Sequence, residues 1–165
     1  MATSTLLQKL DGGSDFGVTT TNRRETEVFI AKETVAVGDW VAFDYGATED
    51  GDVTLGIYKA DTNSTPKRPA IGVVLETLDV DNNDVADYSA GSRIRVVLSG
   101  VCDAKTSDNG GAGMAIGDTL HVETTAGEAD LYVNTSTQPI CGILAETVAA
   151  AAGSGTRRVV VIKQF

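Results

Sequence analysis

The sequence predicts an all-β protein, a small duplicated β-sandwich or barrel of about nine strands with an extended N-terminal arm. Three observations predict it. The 165 residues include 19 Val, 20 Thr and 8 Ile, which are stiff at χ1 and suit a pleated surface. Eighteen glycines provide for many tight turns. Short apolar segments recur between turn signals, and none reads as a long amphipathic helix.

The arm comes first. Residues 1–26 are rich in Thr, Ser, Gly, Asp and Arg and show no sustained period. Strand signals follow at Glu27–Ala31, Trp40–Asp44, Thr54–Tyr58, Ala70–Thr77 and Arg93–Leu98, and then at Thr119–Glu123, Ala129–Val133, Ile140–Thr147 and Arg157–Lys163. Trp40, Phe43, Ile71, Val73, Val97, Leu120 and Ile143 are the expected core. Residues 27–165 form one β-domain made of two related units, about 27–101 and 102–165.

The two units show as an internal repeat. Val37-Gly38-Asp39-Trp40 parallels Ile116-Gly117-Asp118-Thr119. Pro69-Ala70-Ile71-Gly72-Val73 parallels Pro139-Ile140-Cys141-Gly142-Ile143, and Ala90-Gly91-Ser92 parallels Ala152-Gly153-Ser154. The three blocks keep their order, at offsets of 79, 70 and 62 residues. In each unit a Gly-Asp turn launches a strand. A second strand carries a Gly where a backbone or bulky side chain comes close, and an Ala-Gly-Ser turn leads into a Val-rich strand.

Composition excludes several function classes. The net charge of −10 repels nucleic acid, and no basic cluster offsets it. No apolar run approaches the roughly 20 residues that span a bilayer. No basic region precedes an apolar stretch at the N-terminus, so no secretory signal is expected, and Cys102 and Cys141 are expected as free thiols.

Reactive residues are sparse. Cys102 could serve as a nucleophile only with the single histidine, His121, which by alternation shares an outward polar face with Thr119 and Glu123. Asp79 to Asp87 resembles a calcium loop, but Asp84 stands where Gly is needed and Ala90 where a bidentate Glu is needed. A solvated acidic loop is the favoured reading, with calcium left open. Gly117–Thr124 is similar to the segment before the modified lysine of lipoyl and biotinyl carriers, yet Thr125, Ala126 and Gly127 follow and no lysine is there. No catalytic, metal or cofactor site is expected.

Taken together, the Thr/Ser/Gly-rich arm, the Val-Ala-Val-Gly38-Asp39 turn, Pro69-Ala-Ile-Gly72-Val-Val, the segment Gly91–Val101 and the second Gly-Asp-led unit resemble the decoration (cement, head-stabilisation) proteins of tailed bacteriophages. The resemblance covers about residues 27–165. It implies a non-enzymatic virion protein, made in the host cytoplasm, that binds the outer surface of the capsid. Its partner would be the major capsid protein, and it would stabilise the expanded shell by bridging neighbouring subunits. A homo-oligomer is implied, with a trimer favoured and a dimer possible. Leu6, Leu7, Leu10, Phe16 and Val18 would anchor the arm, and Arg23 and Arg24 would meet carboxylates on a neighbour. The alternative is a head-fibre or tail-associated β-module that binds host glycans, which exposure of Trp40 and Tyr45 would favour.

Overall fold

The computed structural model describes residues 24–44, 56–62, 68–77, 87–122, 125–133 and 139–164. It is all-β. In chain order the strands are β1 (Arg24–Ala31), β2 (Val35–Ala36), β3 (Trp40–Phe43), β4 (Gly56–Lys59), β5 (Gly72–Thr77), β6 (Asp87–Tyr88), β7 (Arg93–Thr106), β8 (Thr119–Val122), β9 (Ala129–Leu131), β10 (Gly142–Leu144) and β11 (Gly155–Val161). Every strand read from the sequence has its counterpart. The short ribbon β2–β6 has no sequence signal, because two residues are too few to show alternation.

Nine strands form one sheet in the order β1-β4-β3-β5-β7-β11-β10-β8-β9. Set β1 aside and the order reads the same from both ends: β4-β3-β5-β7 mirrors β9-β8-β10-β11. The sheet closes on itself twice. β1 pairs with both β4 and β7, making a ring of β1, β4, β3, β5 and β7. Thr106 of β7 pairs in parallel with Ala129 of β9, making a second ring of β7, β11, β10, β8 and β9. The chain therefore builds two small closed barrels that share β7.

Backbone hydrogen bonds recur from one barrel to the other. Gly38 N–H donates to Val74 C=O at 2.9 Å, and Gly117 N–H to Leu144 C=O at 2.8 Å. Ala36 N–H donates to Asp39 Oδ2 at 2.8 Å, and Ala115 N–H to Asp118 Oδ2 at 2.8 Å. These Asp side chains cap their own turns. Gly38 and Gly117 hold φ of 86° and 93°, a region open to glycine and strained for other residues. The Met114–Val148 bridge occupies the place of Val35–Tyr88 in β2–β6.

The core follows the strand period. Phe29, Val41, Ile57, Val74, Ile94 and Val96 fill the first barrel. Leu120, Val122, Cys141, Leu144, Val159 and Val161 fill the second. Trp40, Ala42, Val73 and Val97 alternate to the outside of the first barrel, where they join the second core. Strands of the first barrel are thus buried on both faces. Of the expected core residues, Trp40, Ile71, Val73, Val97 and Leu120 are buried, and half-buried Phe43 packs on the first core. Ile143 is half-buried, because it alternates out of the core that Gly142 and Leu144 face.

The two strand glycines at equivalent repeat positions, Gly72 and Gly142, make room for close neighbours. A Cβ on Gly142 would stand 2.9 Å from the Trp40 ring, and one on Gly72 would stand 2.4 Å from the Val97 carbonyl oxygen.

Two boundaries differ from the sequence reading. Arg24, Glu25 and Thr26, read as the end of the arm, are already strand, paired with Gly100, Ser99 and Val97. The unit boundary at 101/102 falls inside β7. Gly100 bends the strand at φ 109°, but the ladder to β11 carries it on to Thr106.

Candidate functional site

The described residues hold no group of three or more His, Cys, Asp and Glu side chains placed to share a metal. Cys102 and Cys141 are free and buried in the second core. Burial pushes the Cys102 thiol up to about 12, against a smaller downward pull from Arg24. Burial also raises the Cys141 thiol, against a smaller downward pull from its own backbone N–H, and its S–H donates to Leu120 C=O at 3.4 Å.

His121 corrects the sequence reading. It is buried at 5% exposure rather than outward. Tyr132 meets it edge-on at 5.8 Å between ring centroids, so an aromatic ring covers the face that alternation assigned to solvent. Leu120 and Val122 point into the second core, and His121 points to the opposite face of β8. Cys102 and Cys141 lie on the core side. A thiol–imidazole pair is not assembled.

The strongest polar constellation was not legible in the sequence. Asp39, at 1% exposure, accepts from Lys105 Nζ at 2.6 Å and Lys59 Nζ at 3.4 Å. Trp40 Nε1 donates to Lys105 C=O at 3.0 Å, and Lys105 N–H donates to Gly38 C=O at 2.8 Å. The Gly-Asp turn of the first barrel is thereby fastened to the far half of β7. Its repeated Gly-Asp pattern was the available signal; its lysine partners, distant in sequence, were not. One carboxylate between two partly exposed ammonium groups is a structural clamp.

Two surface features remain. The repeated turns expose apolar side chains at equivalent positions, Val37 at 43% and Ile116 at 66%. A groove of about 610 Å³ runs beside the middle of β7, lined by Arg24, Val37, Leu75, Val101, Asp103 and Arg158 among others. Arg158 pairs loosely with Asp103 at 3.6 Å.

Of the residues expected to bind a partner, only Arg24 lies within the described structure, exposed at the start of β1 on the rim of this groove. Leu6, Leu7, Leu10, Phe16, Val18 and Arg23 lie outside the described residues, as do Tyr45 and Asp79–Ala86 of the acidic loop. Trp40, whose exposure would have favoured glycan binding, is fully buried.

No family model matches the chain, and no curated protein matches it. Among solved structures it is similar to the head fiber gp8.5 N base in bacteriophage phi29, at 17% identity and a TM-score of 0.43, over 85% of this chain and 95% of that one. A likeness at that score carries no functional weight.

Proposed function

We propose that this chain is a structural virion protein of a tailed bacteriophage that binds the outer capsid surface and bridges neighbouring major capsid protein subunits as a homo-oligomer. The observation that carries the reading is the pair of equivalent Gly-Asp turns. They belong to the pattern that resembles decoration proteins, and each presents one exposed apolar side chain, Val37 or Ile116, from a rigid frame. Such points suit docking on another protein surface. The separation of His121 from Cys102 and Cys141 favours binding over chemistry. The net charge of −10 suits an outer surface away from packaged DNA.

The test is co-sedimentation with undecorated, expanded heads of the cognate phage. It compares the full chain, a chain lacking Met1–Arg23, and the double variant Val37→Asp, Ile116→Asp. Saturable binding by the full chain supports the reading. Loss on truncation assigns partner contacts to the arm, and loss in the double variant assigns them to the turns. Failure of the full chain to sediment with heads overturns it.

A further inference from the structure

The repeat extends to the first strand of each ring. β1 pairs in parallel with β4 at Ala31 and Ile57, and β7 pairs in parallel with β9 at Thr106 and Ala129. Lys32 N–H donates to Ile57 C=O and Ser107 N–H to Ala129 C=O, both at 2.9 Å. Each first strand also runs antiparallel to the last strand of its ring: Ile30 stands opposite Arg93, and Lys105 opposite Thr156. β1 is therefore to the first barrel what Val101–Thr106 are to the second. Ile30 takes the place of Lys105, and Val28 the place of Asp103.

The two barrels meet where the Gly-Asp turn of the first docks on this strand of the second. Cys102 and Ala104 enter the second core, so Asp103 and Lys105 face out. Val37 lines the groove with Asp103. Lys105 N–H donates to Gly38 C=O, and the Lys105 ammonium holds Asp39 at 2.6 Å. Behind the turn, Trp40 N–H donates to Gly127 C=O at 3.0 Å, and Gly127 N–H to Ala60 C=O at 2.9 Å. The junction has two halves, a Gly-Asp turn and the outer face of a first strand. Duplication supplies a second set of both. The second turn is Ile116-Gly117-Asp118. The second strand face carries Val28 and Ile30, which point outward because Phe29 and Ala31 enter the first core.

Both halves of the second set are exposed and apolar. Among the described residues the exposed large apolar side chains are Val28, Ile30, Val37, Ile116 and Val133. Val28 and Ile30 belong to the strand half. Ile116 belongs to the turn half, and so does Val133, which follows Tyr132 where Tyr132 N–H donates to Thr119 C=O at 2.8 Å. Charge is complementary as well. Arg95 and Arg93 stand opposite Val28 and Ile30 and share their face, while the turn half carries Asp118.

We propose that the second Gly-Asp turn of one copy docks on the β1 face of the next copy, repeating between molecules the junction that joins the barrels within one. Ile116 lies beside Val28 of the next copy, as Val37 lies beside Asp103. Asp118 faces Arg93, as Asp39 faces Lys105. Ile30 already pairs with Gly56, so its side chain makes the contact and its backbone does not. The two surfaces differ, so the contact is heterologous and closes into a ring or runs on as a chain of copies. This specifies the homo-oligomer of the reading above without resting on capsid binding, which the sedimentation with heads tests separately.

The test is sedimentation velocity of the full chain without heads. The unaltered chain is expected to form oligomers. Ile30→Asp and Ile116→Asp each remove one half of the contact. Each is expected to sediment as a monomer with the far-UV circular dichroism of the unaltered chain. An equimolar mixture keeps one complete contact, between the turn of Ile30→Asp and the strand of Ile116→Asp, and is expected to give a dimer and nothing larger. An unaltered chain that stays monomeric overturns the proposal. So do single variants that associate as well as the unaltered chain, or a mixture that stays monomeric. Cysteines test the same contact where an aspartate unfolds its strand. Val28→Cys and Ile116→Cys, mixed and mildly oxidised, are expected to form the 28–116 disulfide about tenfold faster than either forms its own dimer. Equal rates overturn the contact.

Discussion

The Lys105 ammonium stands 2.6 Å from the Asp39 carboxylate, joining the turn before β3 to the half of β7 that belongs to the second barrel. Asp118 holds the equivalent turn position and makes the same hydrogen bond to its own turn, but that bond is exposed. The repeat thus supplies a paired experiment. Asp39→Ala strands two ammonium groups and a buried N–H, and is expected to cost about 3 kcal/mol. Asp118→Ala loses one exposed cap and is expected to cost about 1 kcal/mol. Urea unfolding of the two variants checks the difference; equal losses would show that Asp39 acts only as a turn cap.

The strand glycines give a second prediction. Gly72→Ala drives a methyl group against the Val97 carbonyl oxygen, a backbone atom with no rotamer to yield. Gly142→Ala meets the Trp40 ring. Both are expected to destabilise by about 1–3 kcal/mol, with Gly72→Ala the worse. Trp40→Phe is expected to relieve part of the Gly142→Ala penalty and none of the Gly72→Ala penalty. A double-mutant cycle reads this directly.

The thiols predict a pH dependence. Cys102 rises from its ordinary 9.0 to about 12 by burial, and Cys141 moves in the same direction. The folded state therefore keeps protons that the unfolded chain gives up. The thiols' contribution is full below pH 9 and falls as pH rises from there towards 12, by at most about 1.4 kcal/mol per pH unit for each thiol. Cys102→Ala is expected to flatten that fall relative to the unaltered chain. A thiol reagent at pH 8 is expected to leave both cysteines unmodified until denaturant is added; rapid native labelling would contradict their burial.

Trp40 reports on both barrels at once. It is the only tryptophan; it sits on β3 of the first barrel and packs in the core of the second. Its fluorescence and the far-UV circular dichroism are expected to change at the same urea concentration, as one cooperative transition. Two separated transitions would show that the barrels unfold independently.

The repeat could be read from the sequence because turns need particular residues. Gly38 and Gly117 are required by their φ, and Asp39 and Asp118 by their caps, so the motif survived in both units. The run of β7 through Gly100 could not be read. A glycine after an apolar strand signals termination, and the strand continues here only because β11, distant in the chain, supplies the next ladder. His121 was misplaced for a related reason. Alternation assigns a residue to a face, but only the tertiary position of Tyr132 decides whether that face is wet. The start of β1 was hidden by charge. Arg24 and Glu25 look solvated, and they are, yet their backbone pairs with β7.

Sharing β7 has a mechanical consequence. No linker joins the two barrels; a single extended backbone passes from one wall into the other. A pull that separates them acts along covalent bonds, and the ladders to β1, β5 and β11 run parallel to it. Those hydrogen bonds would be loaded together in shear rather than peeled one at a time. The first barrel cannot be drawn off the second without also dragging Trp40 out of its neighbour's core.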